Sequence, residues 1–125
     1  MSKKDLDETF LRSLLEGDEV EMSVVFSDPS LPDNPMIFVS DEFEEQTGYR
    51  PDEALGRNCR FLQGPDTNPH AIEAIRQGLK AETRFTIDIL NYRKDGSEFL
   101  NRLRIRPIYD GDGRLMFFAG AQNPV

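Results

Sequence analysis

The sequence predicts an α+β domain on three observations. Two short apolar runs with β-branched residues stand near the start, four helix signals crowd the middle, and three alternating runs close the chain, separated by Asp-Gly turns. At 125 residues and 38% hydrophobic content the chain suits one core, burying over about 60% of its unfolded surface. No internal repeat or low-complexity tract divides it.

From Asp5 to Glu16, Leu6, Phe10, Leu11, Leu14 and Leu15 recur at helical spacing and Gly17 supplies a stop, so residues 1–19 are expected to form a helical cap on a main domain of residues 20–125. Glu21 to Ser27 reads as a strand, Asp28 to Pro35 as a Pro-rich loop, and Met36-Ile37-Phe38-Val39 as a short buried strand. Ser40 or Asp41 caps a helix that ends at Gly48. Pro51 opens another that ends at Gly56, and a third runs from about Asn58 to Leu62. Asn68-Pro69 is a cap followed by proline at the first helical position, opening a helix through Ala71, Ile72, Ile75 and Leu79. Thr83–Arg93, Glu98–Ile108 and Arg114–Gln122 form a three-stranded meander around Asp95-Gly96 and Asp110-Gly111-Asp112-Gly113.

Composition excludes several functions. One cysteine forms no internal disulfide and no apolar run reaches the length of a membrane span, which predicts a reducing, cytoplasmic setting. Met1–Asp5 leads into no apolar core of a secretory signal. A net charge of −8 repels phosphate backbones and anionic lipid, which argues against nucleic-acid and membrane partners. One Cys and one His are too few for a tetrahedral zinc site, so no metal is expected, and His70 sits at a helix start as a solvated residue.

Strand alternation exposes an anomaly. Phe85, Ile87 and Ile89 share the core face, and Asn91 has their parity; Phe99, Leu103 and Ile105 face inward, and Asn101 joins them. Gln122 shares parity with Met116, Phe118 and Gly120. A buried amide without partners costs roughly 1–3 kcal/mol. Any one of these could bond to backbone or a buried water, whereas three on adjacent strands favour a planar ligand. The lone thiol lies in Gly56-Arg57-Asn58-Cys59-Arg60-Phe61-Leu62-Gln63-Gly64, among two amides and two cations. Alone, Cys59 is as readily inert packing as a reactive group.

Asn58-Cys59-Arg60-Phe61-Leu62-Gln63 resembles the signature of the LOV (light, oxygen, voltage) branch of the PAS superfamily. The likeness runs from about Val20 to Val125 through Val39-Ser40-Asp41, Thr47-Gly48-Tyr49, Leu90–Gly96 and Gly120-Ala121-Gln122. It implies a five-stranded antiparallel sheet with helices across one face and FMN between, in a non-enzymatic blue-light photoreceptor. By the same resemblance Cys59 is the photoactive thiol that adds to flavin C4a on illumination and releases it slowly in the dark. Arg60 and Arg76 match the pair on the FMN phosphate, Asn58 and Gln63 the amides at the ribityl chain and ring, and Asn91 and Asn101 those at the pyrimidine edge. Gln122 matches the side chain near N5 that rearranges as a switch. Val39, Leu62, Phe85, Leu103 and Ile105 are expected to wall the ring.

Each role has a physical basis. Amides satisfy the donors and acceptors of a flavin edge without adding charge, and guanidinium forks bond phosphate bidentately. An apolar wall keeps the thiol protonated in the dark. Met36 stands where a branched aliphatic is commoner and Leu103 replaces a frequent Phe; both are expected to alter the lifetime of the thiol–flavin bond. With nothing after Val125 to act as an effector, a short or trimmed LOV protein is expected. The apolar stripe of the helix from Asp5 to Glu16 suits either its own sheet or a second subunit, and output would then pass through a downstream protein partner or a homodimer formed by that helix and the outer sheet face, where Leu90, Tyr92 and Leu100 have outward parity. The competing expectations are a flavin-dependent redox or thiol protein, for which a second cysteine or a histidine base is missing, and a haem- or metabolite-binding PAS module.

Overall fold

In a computed structural model that describes residues 7–125, the strands from both ends of the chain share one antiparallel sheet. The strands are β1 (Ser23–Ser27), β2 (Met36–Val39), β3 (Phe85–Tyr92), β4 (Glu98–Tyr109) and β5 (Leu115–Pro124), in spatial order β2-β1-β5-β4-β3. The last strand therefore lies at the centre and joins the opening hairpin to the closing meander. Between β2 and β3 come α2 (Asp41–Thr47), α3 (Pro51–Ala54), a 3₁₀ turn over Cys59–Leu62, and α4 (Pro69–Lys80). Gly48, at φ 80°, takes the left-handed conformation that closes α2. Asn68 caps α4 by accepting the His70 N–H at 2.8 Å, with Pro69 in its first turn.

The amphipathic N-terminal segment folds as α1 (Glu8–Ser13), capped by the Asp7 carboxylate, which accepts the Phe10 N–H at 2.9 Å. Asp5 and Leu6, the first residues of the predicted helix, lie outside the described residues. The strand predicted from Glu21 starts instead at Ser23, because Gly17–Glu21 coils into a 3₁₀ turn. Its Glu19 carboxylate accepts the Glu16 N–H at 2.9 Å and pairs with Arg106 of β4, Nη2 to Oε1 at 2.8 Å.

Each face of the sheet has its own core. On the outer face Leu11, Val24, Phe26, Phe38, Ile108 and Phe117 form a buried cluster against which Phe10, Leu14 and Leu15 pack. The apolar stripe of α1 thus covers its own sheet, one of the two roles open to it. The Tyr92 ring lies against Gly64 at the sheet edge and its hydroxyl accepts the Asp66 N–H at 2.9 Å. Leu100 stays 42% exposed. A bulge pairs Ile108 with Phe117 and Tyr109 with Leu115 and shifts the register at Met116, which packs with the outer cluster instead of sharing the inward face of Phe118. On the inner face one cluster joins Val25, Met36, Val39, Phe43, Ala54 and Leu62, and another joins Ala71, Ile89, Leu103, Ile105 and Phe118.

Candidate functional site

Between the inner face and the helices lies a cavity of about 350 Å³, within the range of small-molecule pockets. Leu62, Leu103 and Ile105, expected around the ring, line it, and Met36 joins them. Val39 and Phe85 do not. Val39 packs into the cluster under α2, and the Phe85 ring occupies the space over Gly78 of α4 that a larger residue's Cβ would fill. Ile72, Ile75 and Leu79 complete the apolar wall. Their helical spacing marked them as buried without showing what they face.

The three inward amides run diagonally across the sheet. Asn101 on β4 is opposite Ile89, two residues from Asn91 on β3; Gln122 on β5 is opposite Leu103, two residues from Asn101. All three line the cavity and are 5%, 1% and 2% exposed for Asn91, Asn101 and Gln122. Asn101 Nδ2 donates to Asn91 Oδ1 at 3.1 Å, and Asn101 Oδ1 accepts the Asn123 N–H at 3.1 Å. Asn91 Nδ2 donates to the Leu90 carbonyl at 3.2 Å. Each Asn keeps one N–H free for a further acceptor, while Gln122 Oε1 is buried without any partner. The amides thus fix one another in place and still present unused hydrogen-bonding capacity.

Cys59 opens the 3₁₀ turn on the opposite wall. Asn58 caps that turn, its Oδ1 accepting the Arg60 N–H at 3.0 Å and its Nδ2 donating to the Asp33 carbonyl at 2.7 Å. The thiol lines the cavity and is accessible from it. Loss of hydration raises its pKa, and the backbone hydrogen bond and the nearby Arg60 charge, which pull it down, do not offset this. It is therefore a neutral thiol near pH 7. Gln63, Arg60 and Arg76 also line the cavity. Arg60 pairs with the Asp33 carboxylate and Arg76 Nε stands 3.4 Å from Glu73 Oε2, all four side chains being largely exposed at the rim.

The sequence reading missed Asn34, whose buried Oδ1 faces the cavity without a partner. Its position follows from two consecutive left-handed residues, Asp33 at φ 67° and Asn34 at φ 49°, and the signal that could have found them is Asp33-Asn34 between two prolines, Asp and Asn being the residues after glycine that best tolerate this conformation. Phe118 could have been found, since it shares inward parity with Gln122. His70 is exposed, and among the described residues no group of three or more His, Cys, Asp or Glu could hold a metal. No described helix is long and apolar enough to cross a membrane.

Residues 21–123 match the family model of the PAS domain. The chain is 45% identical over 104 residues to blue-light-activated histidine kinase 1 of Erythrobacter litoralis, covering 83% of this chain and 29% of that protein. It is 48% identical over 101 residues to the blue-light-activated histidine kinase of Brucella anthropi, covering 81% of this chain and 21% of that one. Among solved structures, a light-oxygen-voltage domain studied with a flavin analogue has a TM-score of 0.85 at 45% identity, covering 95% of this chain and 86% of that one. The LOV domain of the Erythrobacter litoralis EL346 blue-light activated histidine kinase has a TM-score of 0.80 at 38% identity, covering 83% and 95%. The chain belongs to the PAS domain family, and within it to the LOV branch. It spans less than a third of the length of the two kinases.

Proposed function

We propose that this chain is a blue-light photosensor whose cavity holds FMN, with residues 20–125 as the sensing domain and residues up to 19 as its cap. The observation that carries the proposal is the convergence on one cavity of a protonated thiol, a diagonal of neutral amides and two arginines at the rim. The residues fit a flavin. The unpartnered Gln122 Oε1 and the free amide hydrogens of Asn91 and Asn101 suit a ring edge with alternating donors and acceptors. When bound, FMN would supply absorption of blue light and an electrophilic ring carbon, C4a, able to accept the Cys59 sulfur, with the thiol proton going to the ring nitrogen beside it.

The chain's own residues do the rest. Arg60 and Arg76 anchor the phosphate at the rim, each guanidinium retaining donors beyond those given to Asp33 and Glu73. Asn58 and Gln63 face the ribityl chain. Loss of hydration at the cavity wall keeps Cys59 protonated, so the thiol does not attack in the dark. Gln122 turns its amide and passes the event into β5, the central strand. The chain is not itself an enzyme; its output goes to a partner domain or protein, or to a second copy through the sheet face near Leu100, as the kinase relatives suggest.

Flavin binding tests the proposal. The purified chain should bind FMN one to one and prefer it to riboflavin, and Arg60→Ala or Arg76→Ala should each cut that preference roughly tenfold, the value of one charge-assisted hydrogen bond. A chain that purifies without flavin and takes up none when FMN is added would remove the proposal.

A further inference from the structure

Among the described residues, four buried side-chain atoms have no hydrogen-bond partner: Ser23 Oγ, Asn34 Oδ1, Gln46 Oε1 and Gln122 Oε1. Such atoms are few in native proteins and each requires a partner. Asn34 and Gln122 line the cavity, so a ligand there can satisfy them. Ser23 and Gln46 do not line it, and a ligand in the cavity leaves them unpaired.

Ser23, Gln46 and Gln122 lie together. Ser23 is the cross-strand partner of Gln122 between β1 and β5, and side chains so placed stand about 5 Å apart. Gln46, in the last turn of α2, donates from Nε2 to the Gln122 carbonyl at 3.4 Å, which brings its Oε1 to the same spot. Ser23 is 1% exposed and Gln122 2%. The two amide oxygens cannot bond each other, and the Ser23 hydroxyl bonds neither of them, so a small bridging molecule is what satisfies all three atoms together.

Their chemistry selects that molecule. Two amide oxygens accept only, and a hydroxyl both donates and accepts. Water donating to Gln46 Oε1 and Gln122 Oε1 and accepting from Ser23 Oγ makes three bonds, the usual number for a buried water. A cation is disfavoured because no carboxylate belongs to the trio and a buried charge needs a counter-charge.

We propose that Ser23, Gln46 and Gln122 form a binding site for one buried water, and that through it Gln46 is a positioning residue for the Gln122 amide. The water site stands whatever the cavity holds; only the use made of Gln122 rests on the function proposed above. The site ties Gln122 to α2, whose Gln46 carbonyl accepts Arg93 Nε at 2.9 Å, so a turn of the amide is felt at α2 as well as in β5.

A crystal structure of the flavin-loaded, dark-state protein tests the site. The expected result is a water within hydrogen-bond distance of all three atoms, lost in Gln46→Leu and in Ser23→Ala. Direct bonds among the three side chains, or no water between them, would overturn the proposal. Light-minus-dark infrared difference spectra test the positioning role. The carbonyl band assigned to Gln122 by its loss in Gln122→Leu should move to higher frequency in Gln46→Leu and Ser23→Ala, as a donor to that oxygen is removed. An unmoved band in both variants would refute the role. A wild-type protein with no difference spectrum would count against the photosensor reading instead, leaving the crystal structure to decide on the water.

Discussion

Glu19→Gln keeps the size of the side chain that anchors the N-terminal segment and deletes its charge. Arg106 and Glu19 are a buried pair, their side chains 7% and 8% exposed, with Arg106 Nε 2.9 Å from Glu19 Oε2 and Nη2 2.8 Å from Oε1. Removing one half of such a pair costs ~3–5 kcal/mol because the other charge stays buried. Here Glu16 Oε1 at 3.6 Å and the Leu14 carbonyl at 2.6 Å still serve Arg106, which lowers the expected loss to roughly 2–3 kcal/mol. Urea unfolding should show it directly, and for a domain of this size it corresponds to about 10 °C in melting temperature. Asp18→Asn, which breaks the exposed Arg104–Asp18 pair, should change stability by less than about 1 kcal/mol. The double replacement Glu19→Leu, Arg106→Met should recover most of the loss, since it leaves no buried charge. pH gives an independent reading. Burial alone would raise the Glu19 pKa, but the hydrogen bonds from Arg106 and the Glu16 N–H and the Arg106 charge outweigh it, so it sits below its ordinary 4.5 in the folded state. The pair's contribution is therefore present above that value and lost as pH falls through the lower folded-state pKa, and Glu19→Gln should remove this part of the acid sensitivity. A Glu19→Gln loss below about 0.5 kcal/mol, as for an exposed pair, would refute the reasoning.

Two further substitutions probe the inner face. In Gly78→Ala the new methyl meets the Phe85 ring, so a net destabilisation of about 1–2 kcal/mol is expected despite the gain in helix propensity. Adding Phe85→Leu should restore part of it; a stabilised single variant would show that the ring moves freely. Asn101→Leu leaves the Asn123 N–H without its side-chain acceptor and Asn91 Oδ1 without its donor, and should cost about 1–3 kcal/mol in urea unfolding. An unchanged midpoint would mean that these amides do not depend on one another.

The diagonal of amides was legible because a strand's period of two is rigid: once Phe85, Ile87 and Ile89 define a face, the side on which Asn91 falls is fixed. Helix α4 was legible from its Asn68-Pro69 cap. The parts that escaped depend on distant partners. Glu19 coils its segment by engaging Arg106, 87 residues away, and no local pattern announces that pairing. Phe85 has inward parity but belongs to the contact with Gly78, and parity does not distinguish a ring over a helix from one in a cavity wall. The Met116 bulge similarly shifts a residue that simple alternation places on the inner face. The rim is set by the backbone of Asp33 and Asn34, which brings a carboxylate to Arg60 where the sequence reading placed only a phosphate.

The proposed function requires Cys59 and a flavin in this cavity to form a bond that blue light makes and darkness breaks. The direct measurement is the absorbance of the FMN-loaded protein before, during and after blue illumination, without added reductant, in wild type and in Cys59→Ala. The wild type should lose its flavin band in the light and regain it in the dark, while Cys59→Ala keeps its band throughout. A wild-type band indifferent to light, or bleaching and recovery that persist in Cys59→Ala, would contradict the account.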